Sequence, residues 1–275
     1  MTSVIAWVAA DSRRSTGLYF ASDSRRTWTG KGRNEYKDDC VKLFAVEGTC
    51  EIFAFAGDAT FPPEILGTIC SRLKAEPNLL KDLTGAHERS VKVYSMIRDA
   101  FDALPTKPGH SFTILHGTRE GAMYPATFHL FAYCYQLNDE SMTNNVLDNV
   151  AEHSLALTIM GSGGAIVKSF LTKETESSGD VSRAHFSAFC NSVASEEDEF
   201  SGGPIQLVGV LSIRDALHFG VITPLGNFYR GSSELPVEDT SIRWRNSQFD
   251  DVTQHGVLKR RPATLATTSD RDEIE

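Results

Sequence analysis

The order of elements in this chain predicts an α+β fold: a four-layer α-β-β-α sandwich, with two antiparallel sheets flanked by helices. Two observations carry that prediction. Strand-like apolar runs come in neighbouring pairs, and helical stripes also come in pairs. The chain therefore reads strands, two helices, strands, two helices, strands. Strands paired through short turns want antiparallel partners, whereas a parallel sheet would need one helix between successive strands.

The first pair is Val4 to Val8 and Leu18 to Ala21, separated by the polar stretch Asp11-Ser12-Arg13-Arg14-Ser15-Thr16-Gly17, which reads as the turn of a hairpin. Val41 to Val46 and Glu51 to Ala56 form a second pair around Glu47-Gly48. A helix starts after Pro62-Pro63 and carries Ile65, Ile69 and Leu73 on one side. The next places Val93, Met96, Ile97, Ala100, Phe101 and Leu104 at helical spacing and stops at Pro105. Strands return at Ser111 to Gly117, Thr127 to Leu137 and Leu155 to Met160. Gly161-Ser162-Gly163-Gly164 leads into a helix with Ile166, Val167, Phe170 and Leu171, and a further helix aligns Phe186, Phe189, Cys190 and Val193. The strands Ile205 to Ile213 and Ala216 to Ile222 close the series. Residues 1–231 thus read as one domain. Residues 232–275 read as an extension, partly flexible or wrapped on a neighbouring subunit, because periodicity fades and the end is polar.

Composition narrows the function. A chain of 275 residues, 41% hydrophobic, can bury one sizeable core, and it has no apolar run of the roughly 18 residues that a membrane helix needs. The start lacks the basic region and cleavage pattern of a secretory signal, so a cytoplasmic protein is expected. A net charge of −9 argues against binding nucleic acid. Cys40, Cys50, Cys70, Cys134 and Cys190 are odd in number and dispersed, which suits reduced thiols. The eight histidines show no paired-ligand spacing, so neither a metal nor another cofactor is expected.

Thr2 carries the most specific chemical signal. If Met1 is trimmed, Thr2 supplies a hydroxyl nucleophile and an amine base on one residue, a pairing used in acyl transfer. The hexapeptide Ala21-Ser22-Asp23-Ser24-Arg25-Arg26 has a near-copy at Ala9-Ala10-Asp11-Ser12-Arg13-Arg14. A hairpin turning at Ser12 to Ser15 returns Asp23 beside Thr2 and leaves Asp11 to cap the turn. Asp23 reads equally as a residue closing its strand. Lys42, between Val41 and Leu43, is either an edge-strand lysine with its ammonium in water or a buried cation paired with Asp23. Gly161 to Gly164 reads by default as a tight turn into a helix. It lacks the Gly-Lys-Ser/Thr ending of a phosphate loop, so nucleotide binding ranks last. Asp198-Glu199-Phe200-Ser201-Gly202-Gly203 is by itself a helix end and a loop.

Taken together, Thr2, Ser22-Asp23-Ser24-Arg25, Lys42, Ala56-Gly57, Gly161-Ser162-Gly163 and Asp198-x-x-Ser201-Gly202-Gly203 resemble the proteasome β-type subunits, which are N-terminal nucleophile (Ntn) hydrolases, in the same order along the chain. The resemblance spans about residues 2–230. It implies a threonine endopeptidase acting on peptides or unfolded polypeptides inside a homo-oligomeric ring. The start without a propeptide resembles the bacterial homomeric peptidase that partners an unfoldase ATPase, which implies such a partner here. The Asp-x-x-Ser-Gly-Gly element is more similar to true proteasome β-subunits.

By the same resemblance Thr2 is the nucleophile and Asp23 holds Lys42 charged. Ser162, Asp198 and Ser201 bond the amine and its water, and the Gly57 N–H is the oxyanion donor. Thr27 then pairs through its backbone with an extended substrate, and Phe55 approaches the pocket for the side chain preceding the cut. Asp58, beside Gly57, departs from the small residue expected there and would alter substrate preference. Two other outcomes stay open: a catalytically silent subunit of such a ring, and an Ntn amidase acting on a small molecule.

Overall fold

A continuous run of β-branched and aromatic residues, with no polar alternation, suits a strand covered on both faces. The first strand, β1 (Val4–Ala10), is such a run and is buried almost throughout. The computed structural model of the chain describes residues 2–11, 14–30, 33–76, 78–83, 85–121, 126–147, 154–237 and 239–259. In chain order β1 is followed by β2 (Ser15–Ser22), β3 (Arg26–Gly30), β4 (Arg33–Lys37), β5 (Leu43–Ala45) and β6 (Ile52–Gly57). Then come α1 (Phe61–Ala75), α2 (Asn78–Lys81), α3 (Ala86–Asp102), β7 (Phe112–Glu120), β8 (Thr127–Gln136), β9 (Ser141–Val146) and β10 (Leu155–Met160). Helices α4 (Gly164–Ser178) and α5 (Ser182–Ala194) lead to β11 (Gln206–Leu211), β12 (Arg214–Thr223), β13 (Gly226–Tyr229), β14 (Arg243–Asn246) and β15 (Asp251–Val252).

The chain is a mixed α/β protein with several sheets and five helices among the described residues. One sheet runs β10-β1-β2-β11-β12-β14-β15, with β13 also paired to β12. The second runs β5-β6-β7-β8-β9, and β3 with β4 forms a separate two-stranded ribbon. Pairing is antiparallel throughout except between β12 and β14.

Alternation along the strands sorts the core. Val4, Ala6 and Val8 of β1 pack with Leu43, Ala54 and Leu115 of the second sheet. From the other face of β1, Ile5 and Trp7 pack with Phe186 and Phe189 of α5. Phe53, Phe55 and Ile114, on the opposite face of the second sheet, pack with Ile65 of α1 and with Val93 and Ile97 of α3. Among the described residues, no helix is long and apolar enough to cross a membrane.

Two parts escaped the sequence reading. The segment between Arg25 and Lys42 holds the β3–β4 ribbon. Beyond Gly231, β14 lies parallel to β12, and Trp244 is buried with Ile242 and Val252, so this part of the extension packs on its own chain. The last residues, 260–275, lie outside the described part, as does Met1.

Candidate active site

The β1–β2 hairpin sets the site. Its register places Val4 opposite Ser22, so Thr2 and Ser3 lie beside the residues that follow β2, beginning with Asp23. The turn is where the polar residues sit: Asp11 Oδ1 accepts from the Arg14 N–H at 3.1 Å. Asp11 is therefore a turn residue. On the other side of β1, Val4 faces Met160, so the loop starting at Gly161 also meets the chain start. A Cβ on Gly161, at φ +92°, would lie 1.5 Å from the Thr2 carbonyl oxygen, so only glycine fits there.

Asp23 is wholly buried and its carboxylate is fully used. Oδ1 accepts from Lys42 Nζ at 2.8 Å and from the Ser3 N–H at 3.0 Å. Oδ2 accepts from the N–H groups of Arg25 at 3.1 Å and Gly202 at 3.0 Å. Lys42 is 1% exposed, so its ammonium is out of water and tied to Asp23. Of the two readings of this lysine, the edge-strand one fails. Four donors around one carboxylate are what a buried ionised acid needs to offset desolvation.

Gln206, unnoticed in the sequence, holds this pair in place. Its Nε2 donates to Ser24 Oγ at 2.7 Å and to the Cys40 carbonyl at 2.8 Å. Its Oε1 accepts from the backbone N–H of Lys42 at 3.0 Å. One buried amide from β11 thereby joins the segment after β2 to the segment entering β5. Its only sequence signal is a polar residue at the head of the apolar run Ile205 to Val210.

A second acid lies across the chain start. Asp198 Oδ2 accepts from Ser201 Oγ at 2.6 Å and from Ser162 Oγ at 3.1 Å. Ser201 Oγ is also 2.7 Å from Ser3 Oγ; since Ser201 donates to Asp198, Ser3 is the donor of that contact. Ser3, also missed in the sequence, thus bonds Asp23 through its N–H and is joined to Asp198 through the Ser201 hydroxyl. A Cβ on Gly163 would lie 2.1 Å from Ser3 Oγ and 2.8 Å from Asp198 Oδ2, which explains the second glycine of that loop.

Gly202 and Gly203 have a packing reason too. Arg25 makes a forked pair with Asp38, Nε to Oδ1 at 2.8 Å and Nη2 to Oδ2 at 3.0 Å. A Cβ on Gly202 would lie 2.5 Å from the Arg25 guanidinium carbon, and one on Gly203 would lie 2.5 Å from Asp38 Cβ. The pair packs against the glycines, and Arg25 Nη1 donates to the carbonyls of Glu199 and Ser201, which fastens the loop that carries Ser201. It also raises the Arg25 pKa, chiefly through its hydrogen bonds to Asp38.

The remaining residues divide. Gly57 ends β6 at φ +104°, where a side chain would strike the Ser111 carbonyl. Thr27 lies on β3 opposite Tyr36, and among the described residues no strand occupies the other edge of β3. Phe55 corrects an expectation: it is 0% exposed and faces the helices α1 and α3, so it lines no pocket for a bound chain. The reason is strand alternation, which sends Phe53 and Phe55 to the helix side and Ala54 and Ala56 to the other. Asp58 Oδ1 accepts from the N–H groups of Thr60 at 2.8 Å and Phe61 at 3.0 Å, at the start of α1.

All five cysteines are free. Among the described residues, no group of three or more His, Cys, Asp or Glu side chains is placed to hold a metal. No protein-family model matches the chain, and neither does any curated protein.

Proposed function

We propose that this chain is a threonine-type Ntn peptidase, similar to proteasome β-subunits, with Thr2 as nucleophile once the bond before it is cut. The observation that carries the reading is the buried Lys42–Asp23 pair, whose carboxylate also binds the residue next to Thr2. A lysine this deep costs stability and is retained where its charge has a task.

The α-amine of a free N-terminus has a pKa of about 7.7–8.0, and a neighbouring ammonium lowers it by like-charge repulsion. The neutral amine takes the proton from Thr2 Oγ, and the oxygen attacks the carbonyl carbon of the peptide bond. The Gly57 N–H stabilises the oxyanion, a contribution of about 3–4 kcal/mol for one such donor. Collapse expels the amine half of the substrate with the proton and leaves an ester on Thr2. Water then adds by the same route, releases the acid and restores the hydroxyl. Ser162, Asp198 and Ser201 hold the amine and that water. The free edge of β3 at Thr27 receives the substrate as an added strand.

The fold we assign is the four-layer α-β-β-α sandwich. Three observations support it: an apolar layer shared by the two sheets, α5 on one outer face, and α1 with α3 on the other. Assembly into a homo-oligomeric ring, an unfoldase ATPase as partner and a cytoplasmic setting belong to the same proposal. The test is turnover of a fluorogenic peptide panel and a small-amide panel by the wild type and by Thr2→Ala. Peptide turnover lost in the variant supports the reading. Turnover that survives it removes Thr2 as nucleophile, and turnover of small amides alone makes the chain an Ntn amidase.

A further inference from the structure

The end of β6 away from Gly57 opens beside a cleft of about 150 Å³. Three cations line it, the buried Arg89 and Arg119 and the exposed Lys81, with an apolar wall of Leu73, Leu80 and Leu83. The arginines are not equivalent. Arg89 pairs with Glu51 at 3.0 Å. Glu51 is otherwise saturated, accepting from Thr118 Oγ1 at 2.9 Å and held by His116 Nε2 at 2.6 Å. Arg119 is only 8% exposed, yet its guanidinium reaches backbone carbonyls alone, those of Leu211 and of Arg214 at 3.0 Å. Its Nε, like that of Arg89, is buried without a hydrogen-bond partner, but unlike Arg89 it forms no ion pair among the described residues. The remaining carboxylate on the cleft, Asp215, is on the exposed rim and forms no ion pair with Arg119.

A buried cation without a counter-ion is expensive, and an unmade donor beside it adds to the cost. An anion in the cleft would supply the missing counter-ion. The apolar wall opposite selects among anions, because a fully hydrated ion such as phosphate gains nothing from three leucines, whereas a short hydrocarbon body does. We propose that this cleft is a second ligand site, independent of Thr2, that takes a small aliphatic carboxylate with its head on Arg119 and its body on the leucine wall.

Cys50 lines the same cleft and reports its occupancy without any substitution. In the full chain, sodium butyrate should slow iodoacetamide alkylation of Cys50 at least fivefold with saturation, read by peptide mass, and leave Cys134 unchanged. In Arg119→Met the butyrate concentration giving half protection should rise at least tenfold. Inorganic phosphate should protect at least tenfold more weakly than butyrate. If Arg119→Met does not fold, Leu83→Asp puts a carboxylate in the wall and should abolish protection. Cys50 labelling that ignores butyrate overturns the proposal. Equal protection in wild type and a folded variant, or equal protection by phosphate, overturns it too.

Discussion

Ser3 and Lys42 hold the same oxygen atom: the Ser3 N–H and the Lys42 ammonium both donate to Asp23 Oδ1, at 3.0 and 2.8 Å. The residue after the proposed nucleophile is therefore fixed by the same carboxylate that holds the buried cation. Removing the cation leaves that carboxylate buried and uncompensated. Lys42→Met should lower unfolding free energy by about 3–5 kcal/mol, and the further change Asp23→Asn should recover part of the loss. Denaturant melts of the single and double variants measure both. Peptide turnover should vanish in each, and a fully active Lys42→Met would remove the lysine from the chemistry.

The Ser3 hydroxyl links Ser201 and Asp198 to the chain start. Ser3→Ala should keep the fold within about 1 kcal/mol. It should lower kcat by about tenfold, because a proton-transfer contact acts on the rate more than on binding. Ser3→Thr keeps the hydroxyl and should restore most of the rate. A kcat unchanged in the alanine variant would reduce Ser3 to a packing residue.

Gly161 sits against the Thr2 carbonyl at a φ of +92°. Gly161→Ala should cost about 1–3 kcal/mol from backbone strain, more if the clash is not relieved, and abolish peptide turnover by displacing the chain start. Gly48, also at positive φ but with open space around it, is the control, and Gly48→Ala should leave turnover intact.

His218 lies buried with its Nε2 accepting from the Ala45 N–H at 3.2 Å. Burial first, then Arg230 and Lys74, hold its pKa down at about 3. The folded state thus refuses a proton that the unfolded chain takes up below about pH 6.5. Its full contribution is present above that pH and is lost as pH falls from there toward 3, by up to about 1.4 kcal/mol per pH unit. The difference in stability between wild type and His218→Gln, followed by urea melts from pH 7 to pH 4, should narrow with that slope. A pH-independent difference would mean that His218 titrates normally.

The central hairpin, the two long helical stripes and the loop glycines were legible because each rests on local signals: apolar runs, helical spacing, turn residues. Asp23 could be separated from Asp11 because a hairpin admits one turn, and the polar residues mark it. Gln206 and Ser3 were not legible. Their roles come from partners 164 and 198 residues away, Lys42 and Ser201, and a lone polar residue in a strand carries no sign of its partner. Phe55 was misplaced because an aromatic near a site suggests a pocket, while the period-2 alternation with Phe53 already pointed it at the helices. The strands β14 and β15 are too short to show a period at all.

The most direct test is the mass of the N-terminal peptide after the purified protein has met a peptide epoxyketone, a reagent that bonds a free amine and a hydroxyl on one residue. The account predicts a chain beginning at Thr2, with one adduct on that residue in the wild type and none in Lys42→Met. A mature chain that keeps residues before Thr2, or an adduct on any other side chain, would contradict it.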